Sequence, residues 1–331
     1  MTPDTSTKIA LSVDNLVVRF KRPRASDVQA VSDVSISLPE QSTLALIGES
    51  GSGKSTLARA VCGLVPATSG TVRVAGVELS QGKNTARDAG AAGIQMVVQD
   101  SGGALNPRWP IWRTISEPHR LMNKRSGAEL REFAAQILRD IGLPVEFLDR
   151  YPHQLSGGQR QRVNIARALA AKPTIIALDE AVSALDLSVR NEILGLLARL
   201  KAERQLTYLF ITHDMGAVVQ IATHVAVLYL GKLVENGPVK EVVQDPKHPY
   251  TRALVGAVPT IGKQRKAAVL ARGEADDAGA PPPGCRFHRR CPFAIDLCRE
   301  AEPQLQEFSG RQIACHRVQD IDDLFFEGGK P

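Results

Sequence analysis

No stretch of this chain approaches the run of about 18–20 apolar residues that carries a helix across a bilayer; 225–231 is among its longest. The opening residues, MTPDTSTK, have no hydrophobic core of signal-peptide length, which argues against export. No segment repeats at a fixed period, so a tandem array is excluded. Cysteine is nearly absent from most of the chain: Cys62 stands alone, while Cys285, Cys291, Cys298 and Cys315 crowd the final segment. These absences predict a cytoplasmic globular protein with one distinctive tail.

What is present fits that class. The 331 residues, 43% hydrophobic and 23% charged, suffice for one large domain with an appendage or for two domains. A net charge of +6 permits polyphosphate, nucleic-acid or membrane-surface partners. Lys and Arg are spread along the chain, which favours an ordinary solvated surface.

KIALSVDNLVVRF and VQAVSDVSISLPEQSTLALIG carry the β-branched residues and period-two pattern of strands, and TVRVAGVEL reads as an edge hairpin. TLALIG is short and wholly apolar, the pattern of a buried parallel strand. Helical patterning dominates from about 113 to 171, and the apolar strands TIIALDE and LTYLFITHD flank the helix RNEILGLLARLKAERQ. Such alternation predicts an α/β fold with a largely parallel sheet. GKQRKAAVLARGEADDAGAPPPG, 262–284, is poor in large apolar residues and reads as a linker.

Gly48-Glu49-Ser50-Gly51-Ser52-Gly53-Lys54-Ser55-Thr56 fits G-x-x-x-x-G-K-[ST] between a predicted strand and a predicted helix at 54–63. Its glycines allow a tight turn whose amides converge on phosphate, and the helix adds its positive end. Lys54 is expected on the β- and γ-phosphates and Ser55 on Mg²⁺. Four apolar residues, 175–178, bury a strand that ends in Asp179, a second Mg²⁺ group; Glu180, alternating to the opposite side on a strand-like backbone, would orient the attacking water.

A second glycine turn follows. In Leu155-Ser156-Gly157-Gly158-Gln159, the S-x-x-Q spacing of Ser156 and Gln159 predicts a capping box that opens the helix QRQRVNIARALAAK. Unpaired amides at that helix end make a second anion site. With a helical lobe between the two loops, the economical arrangement is reciprocal: each loop closes on a nucleotide held by another subunit.

In this order the motifs resemble those of ATP-binding cassette transporter ATPases over about residues 8–240. GESGSGKST is similar to their Walker A motif, LSGGQ to their signature, IIALDE to Walker B, and Ser183-Ala184-Leu185-Asp186 to the D-loop that crosses the dimer seam. Gln99 falls at the Q-loop glutamine, His213 at the switch histidine that touches the γ-phosphate, and Phe20 at the adenine-stacking aromatic, although a core role would explain Phe20 nearly as well. The resemblance implies catalytic roles for Glu180, His213 and Gln99, Mg²⁺ at Ser55, Gln99 and Asp179, and nucleotide contacts from Phe20, the 48–56 loop, 156–159 and Asp186. It also implies a parallel sheet core with an antiparallel β subdomain and a helical subdomain at about 104–172, within an ATPase domain at 8–245. Ala181-Val182 departs from the Pro-Thr of many members, which questions the rigidity of that turn rather than the chemistry.

The stretch Ala104-Leu105-Asn106-Pro107-Arg108 and the element DPKHPYTRAL, 245–254, resemble the dipeptide and oligopeptide importer branch, as does a cysteine-containing extension at 246–331. This likeness implies a peripheral subunit on the cytoplasmic face of the membrane, powering uptake of peptides or peptide-like solutes. Its implied partners are a paralogous ATPase subunit, two permeases and an extracytoplasmic solute-binding protein, without direct nucleic-acid contact. A soluble clamp on nucleic acid or ribosomes is the rival class. The tail spacing C-x5-C-x6-C-x16-C suits neither zinc ribbons nor ferredoxin runs. The likeness implies a 4Fe–4S cluster in some members, and zinc or free thiols remain open.

Overall fold

The computed structural model describes residues 8–22, 27–79, 85–100, 102–122, 126–183, 185–257 and 279–321. Two 12-residue strands, β1 (Ile9–Phe20) and β2 (Val28–Pro39), pair antiparallel. With β4 (Ser69–Val74) and β5 (Val77–Glu78) they form a sheet of order β2-β1-β4-β5. A turn with both Ala75 and Gly76 at positive φ joins β4 to β5, so TVRVAGVEL is the expected edge hairpin.

The second sheet carries β3 (Thr43–Ile47), β6 (Ile94–Val97), β7 (Ile175–Asp179), β8 (Thr207–Ile211), β9 (His224–Tyr229) and β10 (Lys232–Pro238), with two short strands from the tail, β11 (Gln306–Phe308) and β12 (Arg311–Ile313). Its order is β11-β12-β10-β9-β3-β8-β7-β6, and β9-β3-β8-β7-β6 run parallel. Every residue of β3, β7 and β8 is buried, because both sheet faces are covered. Alternation sends Ile176, Leu178, Tyr208 and Phe210 into one apolar cluster and Ile175, Ala177, Leu209 and Ile211 into another.

The first cluster packs against α3 (Ile111–Met122), α4 (Gly127–Asp140), α5 (Gly157–Ala170) and α6 (Leu187–Arg204). The second packs against the antiparallel sheet and α1 (Lys54–Val61), and it includes Cys62 as a small core residue. A short α2 (Thr85–Ala91) leads into β6. The chain thus combines a parallel sheet, an antiparallel sheet and a helical lobe.

The tail is less separate than its composition suggests. After α7 (Met215–Ile221), α8 (Val239–Gln244) and α9 (Pro249–Gly256), the chain reaches α10 (Asp296–Glu300) and then β11 (Gln306–Phe308) and β12 (Arg311–Ile313). β12 pairs with β10, extending the main sheet, and Arg311 meets the fully buried Glu235 at 3.3 Å. Tyr229, Tyr250 and Phe287 form a buried aromatic group that joins the tail to β9 and α9. The part of the expected linker at 262–278 lies outside the described residues.

Candidate functional site

The carboxyl ends of the parallel strands collect the candidate residues, the usual ligand side of such a sheet. The 48–53 loop leaves β3 and opens α1, with Gly48, Gly51 and Gly53 all at positive φ. A Cβ on Gly53 would stand 2.2 Å from the Ala30 carbonyl oxygen, and one on Gly48 would stand 2.2 Å from that of Leu228. Only glycine allows this approach of the loop to its neighbours. Gly231 N–H donates to Ser52 O at 2.9 Å and fixes the loop from outside. No side chain caps α1 at Gly53, so its first amides face the loop. Lys54 Nζ donates to Gly48 O and Glu49 O, both at 2.8 Å, and to Ser52 Oγ at 3.2 Å. Burial pushes its pKa down, against the pull of Glu180, Asp179 and Glu49.

Ser55 Oγ donates to Asp179 Oδ1 at 2.7 Å. Asp179 is 1% exposed, and its other oxygen has no hydrogen-bond partner, with Arg59 Nη2 at 3.7 Å. A buried carboxylate oxygen without a hydrogen bond, beside a serine hydroxyl and a phosphate-type loop, is a donor set suited to a hard divalent cation. Arg59 stands one helical turn after Ser55 on α1, a spacing from which its place could have been read.

Glu180 corrects one sequence expectation. It does not continue the strand: its φ is +47°, a left-handed turn at the end of β7. Its N–H donates to Ile211 O at 3.0 Å, and its carboxylate accepts from Gln99 Nε2 at 2.7 Å. His213 Nδ1 lies 3.6 Å from its other oxygen, with the His213 side chain 62% exposed. Ser183 Oγ donates to the Glu180 carbonyl at 2.8 Å and reaches its carboxylate at 3.3 Å. Ala181 and Val182, which stand where many members have Pro-Thr, are both buried.

The second glycine turn lies on the helical lobe. Ser156 caps α5: its hydroxyl accepts from Gln159 N–H at 3.3 Å while Gln159 Oε1 accepts from Ser156 N–H at 3.0 Å. A Cβ on Gly158 would meet Val189 Cγ1 at 2.4 Å, which seats the turn against the start of α6. Asp186 caps α6, its Oδ1 accepting from Val189 N–H at 3.0 Å and Ser188 Oγ at 2.8 Å. Those bonds lower its pKa. Arg190 pairs with Asp214 at the cap of α7 and donates to Leu185 O, tying the 185–186 segment to the turn that carries His213. Among the described residues, no hydrogen bond joins 156–159 to 48–56. Ala184 lies outside the described residues.

Phe20 ends β1 at 42% exposure, so it is not a core residue. Leu105 is buried, leaving Asn106, Pro107 and Arg108 exposed in the stretch after Gln99. In the tail, Cys285, Cys291, Cys298 and Cys315 line one small cavity with Phe287, Phe293, His288 and His316. Among the described residues, however, no three Cys, His, Asp or Glu side chains are placed to hold a single metal ion. Sequence reading also missed two contacts to Glu49: its N–H donates to Tyr250 Oη at 2.7 Å, and its carboxylate pairs with Arg290.

Residues 31–183 match the family model described as ABC transporter, and 234–298 match that of the oligopeptide/dipeptide transporter C-terminal region. The chain is 40% identical over 295 residues to the di/tripeptide transport ATP-binding protein DppF of Pseudomonas aeruginosa, covering 89% of this chain and 91% of that protein. It is 41% identical over 302 residues to the oligopeptide transport ATP-binding protein AppF of Bacillus subtilis, covering 90% and 92%. A solved dimeric ATP-binding cassette in a post-hydrolysis state with ADP and phosphate aligns with TM-score 0.61 and 28% identity, over 69% of this chain and 98% of that one. Motif order, sheet topology and these likenesses agree: the chain belongs to the ATP-binding cassette transporter family of ATPases and carries the C-terminal region of its oligopeptide and dipeptide branch.

Proposed function

We propose that this chain is the ATP-hydrolysing subunit of an importer for peptides or peptide-like solutes. The observation that carries the reading is the convergence of Lys54, Ser55, Asp179, Gln99, Glu180 and His213 at one sheet end, while the Ser156–Gln159 turn caps a separate helix. In this reading ATP lies on the 48–56 loop, with Lys54 turning from the loop carbonyls to the β- and γ-phosphates. Ser55, Asp179 and Gln99 would hold Mg²⁺, which when bound screens phosphate charge. Glu180, held by Gln99 and Ser183, orients the attacking water, and His213 faces the γ-phosphate. Phe20, exposed at its strand end, is free to stack on adenine. Ser156, Gly157, Gly158, Gln159 and Asp186 would complete the site of a second subunit, because one chain presents its two phosphate-binding turns on different elements.

The second subunit is proposed to be a paralogue. Permeases would dock beside Gln99 and 106–108, with a solute-binding protein on the far side of the membrane. Among the described residues no helix is long and apolar enough to cross a membrane, so attachment would be peripheral, on the cytoplasmic face. Domain limits of 8–245 and 246–331 are proposed on the same grounds. For the tail, we propose that the four cysteines ligate an iron–sulfur cluster. The support is chemical: the four cysteines line one cavity, and four thiolates are the ligand set that such a cluster takes. Anaerobic purification should give visible absorbance with iron and sulfide in equal amounts; colourless protein holding zinc or no metal overturns the assignment.

The test of function is reconstitution with two permeases and a binding protein in vesicles. Uptake of a labelled peptide should require ATP and vanish with Glu180→Gln. If the chain instead stays with ribosomes or DNA in moderate salt and shows no membrane association, the importer reading is lost to the clamp.

A further inference from the structure

Arg290 belongs to the tail, yet its guanidinium grips the second residue of the phosphate loop. Nη1 donates to Glu49 Oε2 at 2.8 Å and Nη2 to Oε1 at 3.0 Å, a two-pronged pair between residues 241 positions apart. The Arg290 side chain is 10% exposed and that of Glu49 is 32% exposed, so water screens the pair only in part. Tyr250 takes the Glu49 N–H at 2.7 Å, so backbone and side chain of this residue are both held from outside the cassette core. Four residues before Arg290, Arg286 donates to Leu230 O and to Ser32 Oγ at 2.7 Å. The next residue, Gly231, receives Ser32 N–H and donates to Ser52 O, both at 2.9 Å. Phe287 lies between the two arginines, buried against Tyr229 and Tyr250. The short segment 285–291 therefore reaches the phosphate loop by two routes.

The Glu49 carboxylate is a liability in an anion-binding loop. Its charge is felt at Lys54, and any polyphosphate on the loop would meet a like charge at close range. Resting on the reading of 48–56 as the nucleotide loop, we propose that Arg290 is a positioning residue for nucleotide binding. It neutralises Glu49 and turns its carboxylate away from the phosphates, so the C-terminal extension is a working part of the nucleotide site.

A merely structural role and this electrostatic one separate in a double-variant cycle. Binding of MgADP and MgATP would be measured by equilibrium dialysis on the full chain, with melting temperature as a fold check. Arg290→Ala should weaken binding about tenfold and raise KM while kcat at saturation changes little. Arg290→Lys should recover part of the loss. Glu49→Gln alone sets the reference of the cycle, and adding Arg290→Ala to it should cost far less than the tenfold lost in the wild-type background, because the unneutralised charge is gone. Affinity unchanged by Arg290→Ala overturns the proposal, as does a loss that Glu49→Gln fails to rescue. If Arg290→Ala does not fold, the comparison of Arg290→Lys with Arg290→Lys/Glu49→Gln carries the same reading. Lys54→Ala is the separate control: should it bind nucleotide normally, the loop assignment fails, independently of Arg290.

Discussion

Gln99 and Glu180, from the ends of two adjacent parallel strands, share a hydrogen bond of 2.7 Å. The bond exists because Glu180 leaves β7 through a left-handed turn, at φ +47°, instead of continuing it. Such a conformation in a non-glycine residue is strained, and strain of this kind collects at functional sites. It puts the carboxylate between the amide of Gln99 and the ring of His213.

Glu180→Gln should therefore lower ATP turnover by about 10²–10⁴-fold while leaving nucleotide binding intact. Steady-state phosphate release measures the first, and nucleotide retained through gel filtration measures the second. A variant that lost affinity and rate together would assign Glu180 to binding instead.

Two glycines should respond in opposite directions. At Gly53, φ is +99° and a Cβ would strike the Ala30 carbonyl at 2.2 Å, so Gly53→Ala should cost more than about 2 kcal/mol and abolish nucleotide binding. Gly195 sits inside α6 with nothing within 4 Å of the added Cβ, so Gly195→Ala should stabilise by about 0.5–1 kcal/mol. Urea unfolding with bound and unbound nucleotide tests both.

The contrast between these glycines also marks what could be read from the chain. Motif spacing encodes local geometry, so the 48–53 loop, the Ser156–Gln159 cap and the placing of Asp179 at a strand end follow from a few neighbouring residues. The Glu180 backbone did not follow, because its turn is imposed by Ile211 on the adjacent strand and Ser183 beyond it. Arg290 and Tyr250 were out of reach for another reason: the aromatic packing of Phe287 decides that they meet Glu49, and no local pattern reports a contact of that span. The strands β11 and β12, at three residues each, are too short to show a period.

His248 predicts an acid limb in stability. Burial pushes its pKa from 6.5 down to about 3, and its ring nitrogen accepts the Tyr250 N–H at 3.1 Å as the cap of α9. Glu235 accepts the His248 backbone N–H, and the four tail cysteines, His288, His316 and Arg317 line the cavity beside it. As pH falls below 6.5 the unfolded chain takes up a proton that the folded chain refuses, so stability should fall by up to about 1.4 kcal/mol per pH unit from this group. Glu235 works the other way, since burial raises its pKa and the folded state holds that proton more tightly. His248→Asn keeps a capping side chain and removes the titration. Its melting temperature should depend less steeply on pH between 6.5 and 5 than that of the wild type; parallel curves would refute the assignment.

Ser156 distinguishes a shared site from a solitary one. Its side chain is exposed and, among the described residues, bonds only within the cap of α5, so Ser156→Ala should cost about 1 kcal/mol of stability. Ser156→Arg adds bulk to a turn that, among the described residues, shares no hydrogen bond with the 48–56 loop of the same chain. If a second subunit's nucleotide must close against this turn, Ser156→Arg should bind ATP with wild-type affinity as a monomer yet lose turnover and ATP-induced association. Analytical ultracentrifugation with and without ATP, in the Glu180→Gln background that slows hydrolysis, reads the association directly. Should Ser156→Arg associate and hydrolyse normally, the Ser156–Gln159 turn would have no role at a subunit seam, and its separation from the 48–53 loop in this fold would need another cause.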